Sequence, residues 1–182
     1  RDFRKMIRRN RYFFPLFFSV AGMLSCDKVD ELLTFRIADE TTFRVESSVL
    51  ANLPLEIPTP DITTNSSQDF ENNDTRADLV RDIRLEELGL TVTNPAGKNF
   101  DFLKSVFIYI STSTSSEIEL ASAENIPMGA TRVLLTPTKE KLDQFVKASS
   151  YKLRTRIVTR ETLTQDVDVR VSLQFKVTAK PL

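Results

Sequence analysis

The chain of 182 residues contains no histidine and no tryptophan, one cysteine (Cys26) and four glycines. Without histidine, neither a Ser-His-Asp nor a Cys-His nucleophilic site can be built, and a lone thiol leaves no thiolate or imidazole zinc site. Beyond Cys26 the only glycines are Gly89, Gly97 and Gly129, too scattered to form a loop that cradles phosphate. Charge of one sign is also missing overall: 25 Lys and Arg balance 25 Asp and Glu. The balance is uneven along the chain. Ahead of Cys26 stand Arg1, Arg4, Lys5, Arg8, Arg9 and Arg11 against Asp2 alone. Taking these from the totals of 25 leaves 19 basic and 24 acidic residues from Cys26 onward, a net of −5. A mildly acidic body lacks the basic footprint of sequence-independent nucleic-acid binding, so no nucleic-acid partner is expected.

What is present begins with a segment in three parts. "MIRRNR" (6–11) is basic, an apolar stretch runs from Tyr12 to about Leu24, and Ser25 precedes Cys26. This is the order of a secretory signal. The apolar part is roughly 13 residues, short of the roughly 20 that span a bilayer as a helix, and Pro15 interrupts it. "MLSC" (23–26) resembles the lipobox of bacterial lipoproteins, although Met23 stands where Leu is usual. The resemblance implies cleavage between Ser25 and Cys26 by a type II signal peptidase and acyl chains on Cys26. The alternative is a buried core helix with an ordinary buried Cys. The expected division is a signal peptide over 1–25, starting at Met6, then a lipidated Cys and tether over 26–33. A single domain follows over 34–182. "DKVDE" (27–31) resembles the acidic flank that sends Bacteroidota lipoproteins to the outer face of the outer membrane. Asp27 alternatively suggests inner-membrane retention, and the bland reading is a solvated tether.

Past the tether, apolar residues recur every second position, the signature of strands with one buried and one wet face. In "DVDVRVSLQFKV", Val167, Val169, Val171, Leu173, Phe175 and Val177 alternate with polar residues. In "YKLRTRIVTRE", Leu153, Thr155, Ile157 and Thr159 oppose Lys152, Arg154, Arg156 and Arg160. The short polar "TLTQ" between them predicts an antiparallel hairpin. "DIRLEELGLTVTNPAG" predicts a strand ending in a turn at Asn94–Gly97, and "KSVFIYIST", apolar on both faces, predicts a central strand. "SEIELAS", "ATRVLLT", "LTFRIADETTFRVES" and "LPLEIPT" complete the set, the last at an edge because of Pro54 and Pro58. One helix is expected from Asp74 with Leu79 and Val80 inward, and another from Thr136 with Leu142, Phe145 and Val146 inward. The run from Thr59 to Asp74 is expected to be loop. About eight strands with one or two short helices predict an all-β antiparallel sandwich. Roughly 150 residues bury roughly 68–70% of their unfolded surface, so no disulfide is needed.

From Cys26 to the end the chain resembles a group of uncharacterised Bacteroidota lipoproteins, through "CDKVDELLTF", "TPDITTNSSQDFENNDTR", "NPAGKNFDFLKSVFIYIS" and "TLTQDVDV". That group brings no activity with it. "TVTNPAG" is similar to the Asn-Pro signature of the water-stress domain of late-embryogenesis proteins, so the sandwich is expected to be immunoglobulin-like or water-stress-domain-like.

Two clusters are candidate sites. Lys152, Arg154, Arg156 and Arg160 form a basic row that suits an anionic polymer; its bland reading is a solvated face paired with Asp166 and Asp168 across the hairpin. Asp69, Glu71, Asn72, Asn73 and Asp74 offer oxygen ligands for Ca²⁺, without the glycine and final acid of an EF-hand loop; capping and solvation explain them equally. Phe100, Phe102 and Phe107 are read as core rather than as a sugar platform. Paired carboxylates for glycoside hydrolysis are not assignable, because sequence spacing gives no separation between them. The expectation is an exported, non-enzymatic, lipid-anchored outer-membrane protein, periplasmic or surface-facing, without cofactor and with a structural or adaptor role. The alternative is a module that binds glycan or an anionic polymer.

Overall fold

The computed structural model describes residues 32–47 and 49–182. The readings on Met6, Met23, Ser25, Cys26 and the acidic flank lie outside the described residues. Among those described, no helix is long and apolar enough to cross a membrane.

The strands are β1 (Leu33–Val45), β2 (Pro54–Pro58), β3 (Ile62–Thr63), β4 (Val80–Asn94), β5 (Leu103–Ser111), β6 (Ile118–Glu124), β7 (Arg132–Pro137), β8 (Ser150–Thr159) and β9 (Val167–Ala179). Two short helices, α1 (Ser66–Asn72) and α2 (Asp143–Val146), interrupt them. The domain is all-β and antiparallel with few short helices, as the alternation predicts. The strands follow one hydrogen-bonded path, β1-β9-β4-β7-β6-β5-β8-β2, with β3 joined to β8. The path curls: Tyr151 of β8 meets Phe175 of β9 edge-on at 6.2 Å and bonds Asp39 of β1, although these strands are far apart in the order.

The predicted inner faces are the buried ones. Val167 through Val177 of β9 are buried at every second position, as are Leu153, Thr155, Ile157 and Thr159 of β8. β5 is central, between β6 and β8, and β2 lies at the end of the order. Phe100 and Phe102 are fully buried, whereas Phe107 is only half-buried on the outer face of β5, a correction to its core reading. In β4 the inward phase changes from Ile83 and Leu85 to Leu88 and Leu90, because a bulge between Leu85 and Glu87 inserts one residue.

Three expectations are corrected. First, β8 and β9 do not form a hairpin: β8 pairs with β5, β2 and β3, while β9 lies between β1 and β4. The connection crosses from one half of the curled sheet to the other, pinned by buried Leu163 and by the Arg160 N–H donating to the Phe102 carbonyl at 2.7 Å. Second, the helix near Asp74 lies upstream, inside the predicted loop. Phe70 of α1 is buried edge-on against Phe35 at 6.3 Å, Asp74 turns the chain with φ +52°, and Val80 opens β4 opposite Ala179. Burial of an aromatic ring outweighs the capping signal at Asp74. Third, Thr136 and Pro137 remain strand, paired with Ser122 and Ala121, and α2 is one turn starting later. Its inward residues are nonetheless Leu142, Phe145 and Val146. Leu142 N–H donates to the Ile83 carbonyl at 2.8 Å, and Ile83 N–H to Asp143 at 3.3 Å, which locks the turn onto β4.

Candidate functional site

The alternation of β8 turns Lys152, Arg154 and Arg156 outward over its neighbours β5 and β2, where cross-strand pairs interact. Arg154 makes a two-pronged contact with Glu117, Nε–Oε2 at 2.9 Å and Nη2–Oε1 at 2.5 Å, and also donates to Glu56. Its guanidinium lies 4.2 Å from the ring centroid of Tyr109, directly opposite on β5. Arg156 reaches Glu56 at 3.7 Å, and Lys152 reaches Asp61 at 3.5 Å. The hydrogen bond from Arg154 holds the Glu117 carboxyl below its ordinary range against the opposing effect of burial. Three cations thus meet three carboxylates within the face itself, which leaves little net field to attract a polyanion.

Arg160 does not belong to this row. Its guanidinium turns back and donates to the carbonyls of Leu103 (2.6 Å), Asp101 (3.3 Å) and Ile126. It ties the end of β8 to the start of β5 and to the chain beyond β6. The partners expected for the row, Asp166 and Asp168, serve Arg44 of β1 instead, because β9 pairs with β1. Arg44 Nε lies 2.7 Å from Asp168, which its hydrogen bond holds below the usual carboxylate range. Asp166 accepts the Ser47 N–H at 2.8 Å and is lowered by that bond.

The acidic cluster is also dispersed. Asp69 and Glu71 sit two residues apart on α1, a spacing that turns side chains away from each other, and Asp74 lies beyond the helix in a left-handed conformation. Asn73 donates its side-chain amide to the Asp69 carbonyl at 2.8 Å, so it closes the helix end. Among the described residues, no group of three or more Asp, Glu or Cys side chains converges on a metal position.

The sequence reading missed an apolar strip leading into β2. Two adjoining hollows, of about 260 and about 200 Å³, share Val49 and Leu55. Leu50 and Leu53 stand 61% and 54% exposed there, unusual for large apolar side chains grouped so closely. Arg44, Glu46 and Glu56 rim the larger hollow. A third hollow of about 360 Å³ lies beside Pro127, Arg132 and Leu134, with Met128 exposed nearby. The legible signal for the strip was "SVLANLPLEIP", leucines clustered in a segment with no room for a second strand. These hollows offer apolar contact for side chains.

No family model matches the chain, and no curated protein matches it. Among solved structures, a chain from Desmodium yellow mottle tymovirus aligns over 82% of this chain and 90% of its own length, at 9% identity and a TM-score of 0.28. A TM-score at that level carries no argument about fold or function.

Proposed function

We propose that the chain is a lipid-anchored protein of the cell envelope whose β domain has a non-catalytic structural or adaptor role. The observation that carries the reading is the order at the N-terminus: basic "MIRRNR", an apolar stretch, then Ser25 and Cys26. On this reading the protein is exported and attached to the outer membrane through acyl chains on Cys26, facing the periplasm or the outside. One chain gives only marginal attachment, so stable anchoring takes more than one. The exposed Leu50 and Leu53 strip supports an adaptor role, since it offers an envelope protein an apolar contact. The alternative of an anionic polymer on the basic row is weakened by the pairing of Lys152, Arg154 and Arg156 with Asp61, Glu56 and Glu117.

Mass spectrometry of membrane fractions tests the anchor. The mature wild-type protein is expected to begin at an acylated Cys26, and Cys26→Ala to abolish both acylation and cleavage. An unmodified Cys26 in the mature protein would refute the proposal.

A further inference from the structure

The two strands at the ends of the path differ in how they meet solvent. β2 has five residues and begins and ends with proline, which blunts an edge. β1 has 13 residues, contains neither proline nor glycine, and runs in unbroken register from Leu33 to Val45 against β9. Among the described residues, β9 is the only strand it pairs with. β2 and β3 come close to β1 without hydrogen-bonding to it among the described residues, so its outer edge keeps a row of main-chain donors and acceptors for another strand. Its inward side also remains partly open: Phe35, Asp39 and Thr41 are half-buried, whereas every inward residue of β9 is buried.

The outward residues of β1 are Thr34, Arg36, Ala38, Glu40, Thr42 and Arg44, all exposed. From Thr34 to Thr42 they read the same in charge-complementary form from either end. In an antiparallel pair of two β1 strands with a twofold axis at Ala38, Arg36 faces Glu40 of the second copy and Glu40 faces its Arg36. Thr34 then faces Thr42, and the small Ala38 faces itself. Moving the axis to Glu40 sets Arg36 against Arg44 and Glu40 against Glu40, two like-charge conflicts. An axis at Thr42 also sets Glu40 against Arg44, but it shortens the pairing, since Ala38 then faces Glu46 beyond the end of β1. Arg36 is bound to Glu86 through Nε and one Nη, which leaves further N–H donors on the guanidinium. We infer that β1 is a self-pairing edge, through which two copies of this chain join antiparallel about Ala38 and continue the sheet from one copy to the other.

The geometry sets a cross-linking test on the full chain in detergent, in a Cys26→Ser background that removes the native thiol. Directly opposed residues have Cα atoms about 4.5–5.5 Å apart, within the reach of a disulfide. Ala38→Cys is therefore expected to give disulfide-linked dimers in most chains under mild oxidation. The two Thr34 positions would lie about 27 Å apart at about 3.4 Å per residue, so Thr34→Cys alone stays at background. Thr34→Cys combined with Thr42→Cys cross-links again. By sedimentation velocity, Glu40→Lys should weaken the dimer about tenfold, and adding Arg36→Glu should restore it; circular dichroism checks that each variant is folded. A monomeric wild-type chain overturns the inference, including a monomer whose β1 amides are protected from exchange by another segment. Equal cross-linking of Ala38→Cys and Thr34→Cys, or a dimer indifferent to Glu40→Lys, overturns it as well.

Discussion

Replacing Tyr151 by Phe removes one oxygen from the interior of the curled sheet and leaves the ring. The ring keeps its edge-on contact with Phe175, so the packing change is small. The lost hydroxyl donates to the Asp39 carboxylate at 2.7 Å, joining β8 to β1. Burial pushes the Asp39 carboxyl above its ordinary value and the Asp69 charge adds to this, while the Tyr151 hydroxyl pulls it down. Burial also holds the Tyr151 hydroxyl protonated, so it remains a donor across the working pH range. A hydrogen bond to a charged group contributes about 1.5–3 kcal/mol and one between neutral groups about 1 kcal/mol. Tyr151→Phe should thus cost about 1.5–3 kcal/mol at neutral pH and nearer 1 kcal/mol once Asp39 is protonated. Because the folded value of Asp39 is raised, its contribution is fully present below the unfolded carboxylate value and is lost as pH rises through the folded one. Asp39→Asn removes that cost while its amide oxygen still accepts from Tyr151, so it should destabilise less than Tyr151→Phe at neutral pH. Urea denaturation of the three proteins at several pH values measures both effects. A cost of Tyr151→Phe that does not shrink on acidification, or an Asp39→Asn more damaging than Tyr151→Phe, would refute the reasoning.

Val171 is fully buried between Thr41 and Leu90, so Val171→Asp places an unpaired charge in the core and should unfold the domain, whose stability is expected at about 5–15 kcal/mol. Arg170→Asp on the outer face should stay within about 0.5 kcal/mol, and equal losses of the circular dichroism transition would show that the faces are misassigned. Arg160→Ala frees three main-chain carbonyls and should cost about 1.5–3 kcal/mol. Lys152→Ala, which breaks only an exposed pair with Asp61, should cost about 0–1 kcal/mol. Matching denaturation midpoints for those two variants would return Arg160 to the basic row.

Period-two alternation told which residues of β5, β8 and β9 face inward, because an apolar side chain exposed to water costs free energy whichever strand lies beside it. The proline pair marked β2 as an edge because proline cannot donate to a ladder. The candidate basic row was legible as a row for the same reason, since outward side chains of one strand share a face. Its neighbours were not legible. Main-chain hydrogen bonds along a strand's sides carry no side-chain signature, so "TLTQ" suggested a hairpin where the chain instead crosses between the halves of the sheet. With that crossing, Asp166 and Asp168 passed to Arg44, Glu56 and Glu117 came to Arg154, and Arg160 turned to the main-chain carbonyls of Asp101, Leu103 and Ile126. The helix moved upstream because Phe70 finds Phe35, a contact between residues far apart in sequence that no local signal announces. Local composition decided which atoms avoid water, while pairing across long separations, set by which strands the curled sheet brings side by side, decided which charges meet.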